Sequence, residues 1–488
     1  MSKKKSFDST GKITNAQALE MPQVEYLLSL TKRHDKFKDQ FEKPYVRFEK
    51  DEHFEIHSLR SEAYRNYLIH QLYTVYKSKT NKGAAADVIS IIESEIISTG
   101  IVYKLHLRVA EHDDCFWYDL ADTSWRAIKI DKKGWRIISN PPILFRRTAH
   151  MNEQVEPIKG GNIKRLFDFI NVPPKFQLLL LINIMVCFIP NLDYPINVFW
   201  GKPGTGKSTI GQILQSLVDP SKVDTLSFPS TDKEMIQIMS KYHLMVFDNI
   251  SRITTQISDI LCRASTGGAF ASRELYKNDD EIIRVLHQPV VLNGLYQLGV
   301  ANDLISRSMY FELEEIGSNK MKPKNQFMKR FEQEKPHILG RMFDCISNAI
   351  KNKQAIKIAD HDRMGDYKDW GIAIAKNFNG ADIAFLKQLA KMDKIRNREA
   401  LLGQPLANAV EIFINRERYF KGSATTLHKL LCAVARKHRI NTTPPLWPNA
   451  ANSMTRQLNN MATNLEKAGI LYKHRRVNTC AEVILELI

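Results

Sequence analysis

Gly201-Lys202-Pro203-Gly204-Thr205-Gly206-Lys207-Ser208-Thr209 is the stretch on which the reading of this chain turns. It fits the phosphate-binding pattern G-x-x-x-x-G-K-[ST] without a mismatch. Ile196, Val198, Phe199 and Trp200 precede it and predict a buried strand. Ile210, Ile213, Leu214 and Leu217 follow at helical spacing. In that context the glycines let successive backbone N–H groups turn inward around phosphates, and the helix N-terminus adds its positive end. Gly201, Pro203, Gly204, Thr205, Gly206, Lys207, Ser208 and Thr209 are therefore candidates to hold ATP. Lys207 would reach the β- and γ-phosphates, and the Ser208 hydroxyl would bind Mg²⁺. The alternative is a glycine-rich turn that binds nothing; two correct flanks argue against it.

Working outward, His243 to Phe247 is an apolar strand that ends in Asp248, the Walker B pattern. A buried strand there delivers a second carboxylate to the metal. Asn249 follows. It cannot accept a proton as a glutamate would, but it can orient a water; otherwise it is a helix cap before Ile250. Pro289 to Leu292 predicts a further strand ending at Asn293-Gly294. Asn293 is a candidate to contact the γ-phosphate or the water, unless Asn-Gly serves only as a turn.

Asp303-Leu304-Ile305-Ser306-Arg307-Ser308 then leads into the strand Met309 to Leu313. Ser306-Arg307-Ser308 resembles the Ser-Arg-Phe arginine-finger motif of MCM helicases, with Ser308 in place of the aromatic. The series from Gly201 to Leu313 resembles the MCM-like branch of AAA+ ATPases. It is most similar to the replication helicases encoded by staphylococcal cassette elements and pathogenicity islands, and to related phage proteins. That resemblance implies a hexameric ring, Asn293 as sensor 1, Arg307 as a finger acting on a neighbouring subunit, and Arg363 as sensor 2. It also implies a DNA-touching hairpin before sensor 1. Ala269 to Tyr276 and Glu281 to Leu286 predict such a hairpin, with Arg273, Lys277 and Arg284 as basic candidates. Asp279 and Asp280 at its tip would repel phosphate.

Length and charge set the frame. The 488 residues suggest about two to four domains. A net charge of +17 points to a polyanion, with nucleic acid ahead of an anionic membrane surface. The six cysteines form no CxxC pair, which argues against a zinc ribbon and suits a reducing cytoplasm. Phe176 to Ile189 is too short for a membrane span and predicts a buried helix.

The expected organisation is α/β. A disordered basic tail covers 1–11, an N-terminal α+β domain 12–155, an AAA+ P-loop core 160–320, a helical lid 321–400, and a winged helix 405–488. In the N-terminal domain, strands are expected at 45–48, 54–56, 102–109, 115–120, 125–130 and 135–138. Helices are expected through Tyr64 to Val75 and Val88 to Ile96. Trp117, Trp125 and Trp135 read as core residues rather than a base-stacking platform. In the C-terminal region a helix through Asn452 to Leu465 carries Arg456. Two strands flank a basic turn with Lys473, Arg475 and Arg476, the pattern of a recognition helix and wing. The expected function is an ATP-driven DNA helicase that replicates a mobile element or phage, acting on single strands and an origin duplex, with no membrane contact. A DNA-dependent ATPase that melts an origin without processive unwinding is the second reading. A nucleotide-switched DNA-binding regulator is the third.

Overall fold

The structure, a computed structural model, describes residues 18–273, 281–294, 302–316, 323–353, 356, 364–402, 404–443, 447–477 and 480–488. The expected basic tail, Lys277 and Arg363 lie outside the described residues.

From Gln23 onward come α1 (Gln23–Thr31), β1 (Asp35–Lys38), β2 (Pro44–Lys50), β3 (His53–Ser58), α2 (Glu62–Tyr76), α3 (Gly83–Thr99) and β4 (Ile101–Val102). Its strands pair in the order β3-β2-β1-β4. The β2–β3 turn falls on Asp51 and Glu52, both with positive φ. Ser61 starts α2 by accepting a hydrogen bond from the Tyr64 N–H, and Gly100 ends α3. Val46, Phe48, Tyr64, Leu68, Val88 and Ile92 fill the core between sheet and helices.

A second sheet, antiparallel throughout, follows: β5 (Val109–His112), β6 (Cys115–Asp119), β7 (Ala127–Asp131) and β8 (Gly134–Ile138), paired in that order. The strand expected across 102–109 is broken between Val102 and Val109, and at the end of that gap Arg108 adopts a left-handed conformation with φ 54°. Tyr118, Ile128, Ile130 and Trp135 of this sheet join one core that runs on through the chain to Ala400. The core therefore does not divide at the boundary expected near residue 155. Trp117 and Trp135 are buried, and Trp125 is half-buried beneath the Arg147 guanidinium, 4.0 Å from its ring centre.

Helix α4 (Pro174–Val186) is buried nearly all round. Then come β9 (Ile196–Trp200), α5 (Lys207–Val218), β10 (Leu226–Ser227), α6 (Asp232–Met239), β11 (Met245–Asp248) and α7 (Thr255–Thr266). Asn183 ties α4 to β9 by donating to Asn197 Oδ1 at 2.7 Å. Next are β12 (Gly268–Arg273), β13 (Glu281–Leu286), β14 (Val290–Asn293), α8 (Asn302–Arg307) and β15 (Ser308–Glu312). The order β10-β11-β14-β9-β15 makes a five-stranded sheet, parallel throughout. Its inner strands are continuous apolar runs, as burial on both faces requires. β12 and β13 form the expected hairpin, paired from Gly268 opposite Leu286 to Arg273 opposite Glu281. Its tip, 274–280, is not among the described residues.

The sheet that begins at β5 is fastened to this unit by a buried charge. Arg108 is fully buried, and its Nε donates to Asp219 Oδ1 at 2.9 Å. Its two terminal nitrogens donate to the carbonyls of Asp119, Asn152 and Pro220. The other Asp219 oxygen accepts from the backbone N–H groups of His243 and Leu244. Asp219 closes α5, and His243 leads into β11, so one guanidinium holds the far ends of both elements that carry the loop and Asp248.

Helices α9 (Lys324–Lys353), α10 (Gly365–Ala375) and α11 (Ala381–Leu402) pack on the same core. The remainder has a core of its own: α12 (Pro405–Glu417), β16 (Tyr419–Ser423), α13 (Ala424–Lys437), α14 (Ala451–Lys467), β17 (Ile470–Val477) and β18 (Cys480–Leu487). Its sheet runs β16-β18-β17. The basic run expected at a turn lies within β17 instead. Lys473, Arg475 and Arg476 face Ile484, Glu482 and Ala481 across the ladder, because pairing continues to Val477 and Cys480. Among the described residues no helix is long and apolar enough to cross a membrane.

Candidate nucleotide-binding site

Parallel strands present their carboxyl ends along one edge, and loops that leave that edge collect ligand-binding groups. Here Phe247 lies opposite Leu292, and Leu292 opposite Val198. Asp248 and Asn293 stand one residue further on, next to the loop that leaves β9 at Gly201.

That loop depends on glycine at three positions. Gly201, Gly204 and Gly206 have φ of 149°, 82° and 87°. A β-carbon at Gly201 would also come within 2.8 Å of the Leu313 carbonyl oxygen. Thr205 is buried, and its hydroxyl donates to the Lys202 carbonyl at 3.0 Å. Asn171 holds the outer side of the loop by donating to the carbonyls of Thr205 and Glu314. Lys207 and Ser208 open α5, and Ser208 is exposed in its first turn. The Lys207 ammonium donates to the carbonyls of Gly201 at 2.7 Å and Lys202 at 2.8 Å. Partial burial lowers its pKa, and the Asp248 charge opposes that shift.

Asn293 bridges sheet and helix. Its side-chain amide donates to the Lys207 carbonyl at 3.0 Å, while its Oδ1 is buried without a partner. This approach is possible because residue 211, on the facing turn of α5, is glycine. A β-carbon there would lie 2.7 Å from Asn293 Nδ2 and 2.9 Å from Val246 Cγ1. Sequence reasoning misses Gly211. Its one signal is a glycine inside a strongly helical run, where only a packing need justifies the helical cost.

Asn249 is no helix cap. The next helix, α7, begins at Thr255 with the Thr254 hydroxyl as its cap. Asn249 is instead an exposed turn residue with φ 55°, a conformation asparagine tolerates better than most residues. Its N–H donates to Asp248 Oδ1 at 3.0 Å, which orients the carboxylate.

These residues fit a magnesium nucleotide on two observations. Three loop glycines hold a backbone that side chains would strain, and a buried Asn293 oxygen at the same edge lacks a donor. Gly201 to Thr209 would hold the phosphates, and Ser208 and Asp248 the cation, which would neutralise charge between β- and γ-oxygens.

Arg307 lies elsewhere. It ends α8, and its guanidinium pairs with Asp303 one turn earlier in the same chain, leaving its Nε buried and unpartnered. Ser308 pairs with Ile196, and Glu312 with Trp200. Arg307 is thus at the amino edge of the sheet and the loop at the carboxyl edge, separated by roughly 15 Å of strand at about 3.3 Å per residue. The structure does not bring Arg307 to its own chain's loop.

Of the residues expected to touch DNA, Arg456 on α14 and Lys473 and Arg475 on β17 are exposed. Arg476 is in β17, Arg273 in β12 and Arg284 in β13.

Over two segments the chain is similar to replication proteins of mobile genetic elements. Residues 162–383 match the family described as Actinomycete integrative conjugative element replication protein. Residues 406–487 match the AICE RepA C-terminal domain. The matched elements are actinomycete ones, whereas the motif resemblance points to staphylococcal and phage elements. No curated protein matches the chain. Among solved structures, the A form apo structure of the NrS-1 C terminal region aligns with 94% of this chain and 98% of its own, at 13% identity and a TM-score of 0.43. An apo structure of NrS-1 C terminal region 305–718 aligns with 95% and 99%, at 14% identity and a TM-score of 0.41.

Proposed function

We propose that this protein is a ring-forming DNA helicase of the MCM-like AAA+ type. ATP bound at the Gly201 to Thr209 loop drives the chain along DNA during replication of a mobile element. The reading rests on the convergence of Lys207, Asp248 and Asn293 beside a glycine-turned loop, at the carboxyl edge of a parallel sheet. The similarity of residues 162–383 to a mobile-element replication protein supports the setting. In this reading Lys207 leaves the loop carbonyls for the β- and γ-phosphates, Ser208 and Asp248 hold Mg²⁺, and Asn293 and Asn249 position the attacking water. The hexamer, Arg307 as the finger in trans and Arg363 as sensor 2 belong to the same proposal. So does a winged helix formed by α12 to β18, with α14 and β17 on the duplex.

The test is ATP turnover by the purified chain, measured with and without single-stranded DNA, followed by strand displacement. Turnover stimulated by DNA, together with displacement, is expected. Turnover without displacement would favour the origin-melting reading, and binding without turnover the nucleotide-switched regulator.

Two further results are expected. Asn249→Asp and Asn249→Gly both tolerate a positive φ, so they separate hydrogen bonding from backbone strain. Asn249→Asp should keep part of the turnover, whereas Asn249→Gly should slow it at unchanged ATP affinity. Wild-type turnover in Asn249→Gly would leave the residue a turn former only. On DNA, binding should weaken with salt, with a log–log slope of about 0.7 per phosphate on single strands and about 0.9 on duplex. Replacing the exposed Arg456, Lys473 and Arg475 with alanine should flatten the duplex slope by about 0.9 for each phosphate no longer neutralised. An unchanged slope would place the duplex elsewhere.

A further inference from the structure

A cleft of about 610 Å³ lies between the N-terminal strands and the central unit, away from the loop at Gly201. Lys43, Lys104 and Arg146 line it, and no carboxylate is among its lining residues. Lys43 and Lys104 are exposed, and Arg146 donates to the Ser240 carbonyl. Phe41 and His287 add aromatic walls, and the buried Tyr194 packs edge-on against His287. His287 and Gln288 join β13 to β14 and so stand at the foot of the hairpin.

Both of these residues have an unmet hydrogen-bonding atom. Gln288 is more than nine-tenths buried. Its amide nitrogen donates to the Met239 carbonyl at 2.8 Å, and its Oε1 is an acceptor with no donor. His287 Nε2 is buried without a partner of good geometry, although the Leu192 backbone lies close enough to the ring to oppose the lowering of its pKa by burial. Unpaired buried polar atoms are costly, and an incoming donor that reached Gln288 Oε1 would relieve that cost.

We propose that this cleft binds a nucleotide unit, with its phosphate between Lys43, Lys104 and Arg146 and its base against the aromatic wall, donating from a ring or exocyclic N–H to Gln288. A lone phosphate would satisfy the cations but leave most of the volume and the orphaned amide oxygen unused. Cations, aromatic faces and a buried amide acceptor are the combination that recognises a nucleotide. The unit comes either from a free nucleotide or from a single strand, and both supply the same chemistry. The site is separate from the loop site and does not depend on hydrolysis there.

The test uses the full chain carrying Lys207→Ala, which weakens phosphate binding at the loop, and titrates it with dAMP, a short oligodeoxythymidylate and inorganic phosphate. Saturable binding of dAMP or the oligonucleotide is expected, with phosphate weaker than either. Adding Lys43→Ala and Lys104→Ala should weaken that binding about tenfold. Both side chains are exposed, so neither substitution opens a hole in a core. Preference for dAMP identifies a free nucleotide as the source, and preference for the oligonucleotide a single strand. Absence of binding in the Lys207→Ala chain, phosphate binding as tightly as dAMP, or no effect of the two further lysine substitutions would each overturn the proposal.

Discussion

Arg307→Ala should hydrolyse ATP on the order of 10³–10⁵-fold more slowly than the wild type, and mixing it with Lys207→Ala should restore part of the missing rate. Lys207→Ala should itself be nearly inactive, because it removes a positive charge from the phosphates where electrostatics dominate the barrier. The restoration follows from the sheet. Arg307 and the loop occupy opposite edges, so under the proposed function Arg307 would serve the loop of a neighbouring chain and not its own. A Lys207→Ala chain can lend its Arg307 to the intact loop of an Arg307→Ala chain. The competing view is that Arg307 only holds Asp303, its partner in this structure. ATPase rate against mixing ratio decides, once light scattering has shown that the two variants co-assemble. A flat line at the level of the parents would refute both the finger in trans and the assembly it requires.

The second large effect is on stability. Arg108→Met should lower the unfolding free energy by about 3–5 kcal/mol, because it strands the Asp219 carboxylate in a dry interior. The double variant Arg108→Met/Asp219→Leu should be less destabilised than the sum of the two single ones, since neither charge is then left alone. Urea midpoints measure both. Additive effects would mean that the two side chains act independently, contrary to their 2.9 Å hydrogen bond.

Much of the loop site is legible in the sequence because it is local. The strand, glycines and helix from Ile196 to Val218 are contiguous, and an apolar run ending in Asp248 shows where the next strand stops. The hairpin of β12 and β13 is legible for the same reason, from two runs either side of a polar tip. Arg108 is not, because its partner Asp219 is 111 residues away and an arginine in a strand-like run ordinarily faces water. Strand β16 is missed because Tyr-Phe-Lys-Gly-Ser has no apolar alternation; its pairing with β18 makes it a strand. Asn249 is misread as a possible cap because only the backbone reveals that the next helix waits until Thr255.

If the proposed function holds, the opposite placement of Arg307 and the loop changes what should be counted as one enzyme. Under the proposed function each chain has two half-sites that face away from one another, and chemistry belongs to the junction between chains. Such head-to-tail contacts either close into a ring or continue as an open row. An open row of n chains has n − 1 working junctions and a ring has n. Turnover per chain therefore rises with assembly and levels off only at closure. A defective loop silences the junction on one side of its chain, and a defective arginine the junction on the other.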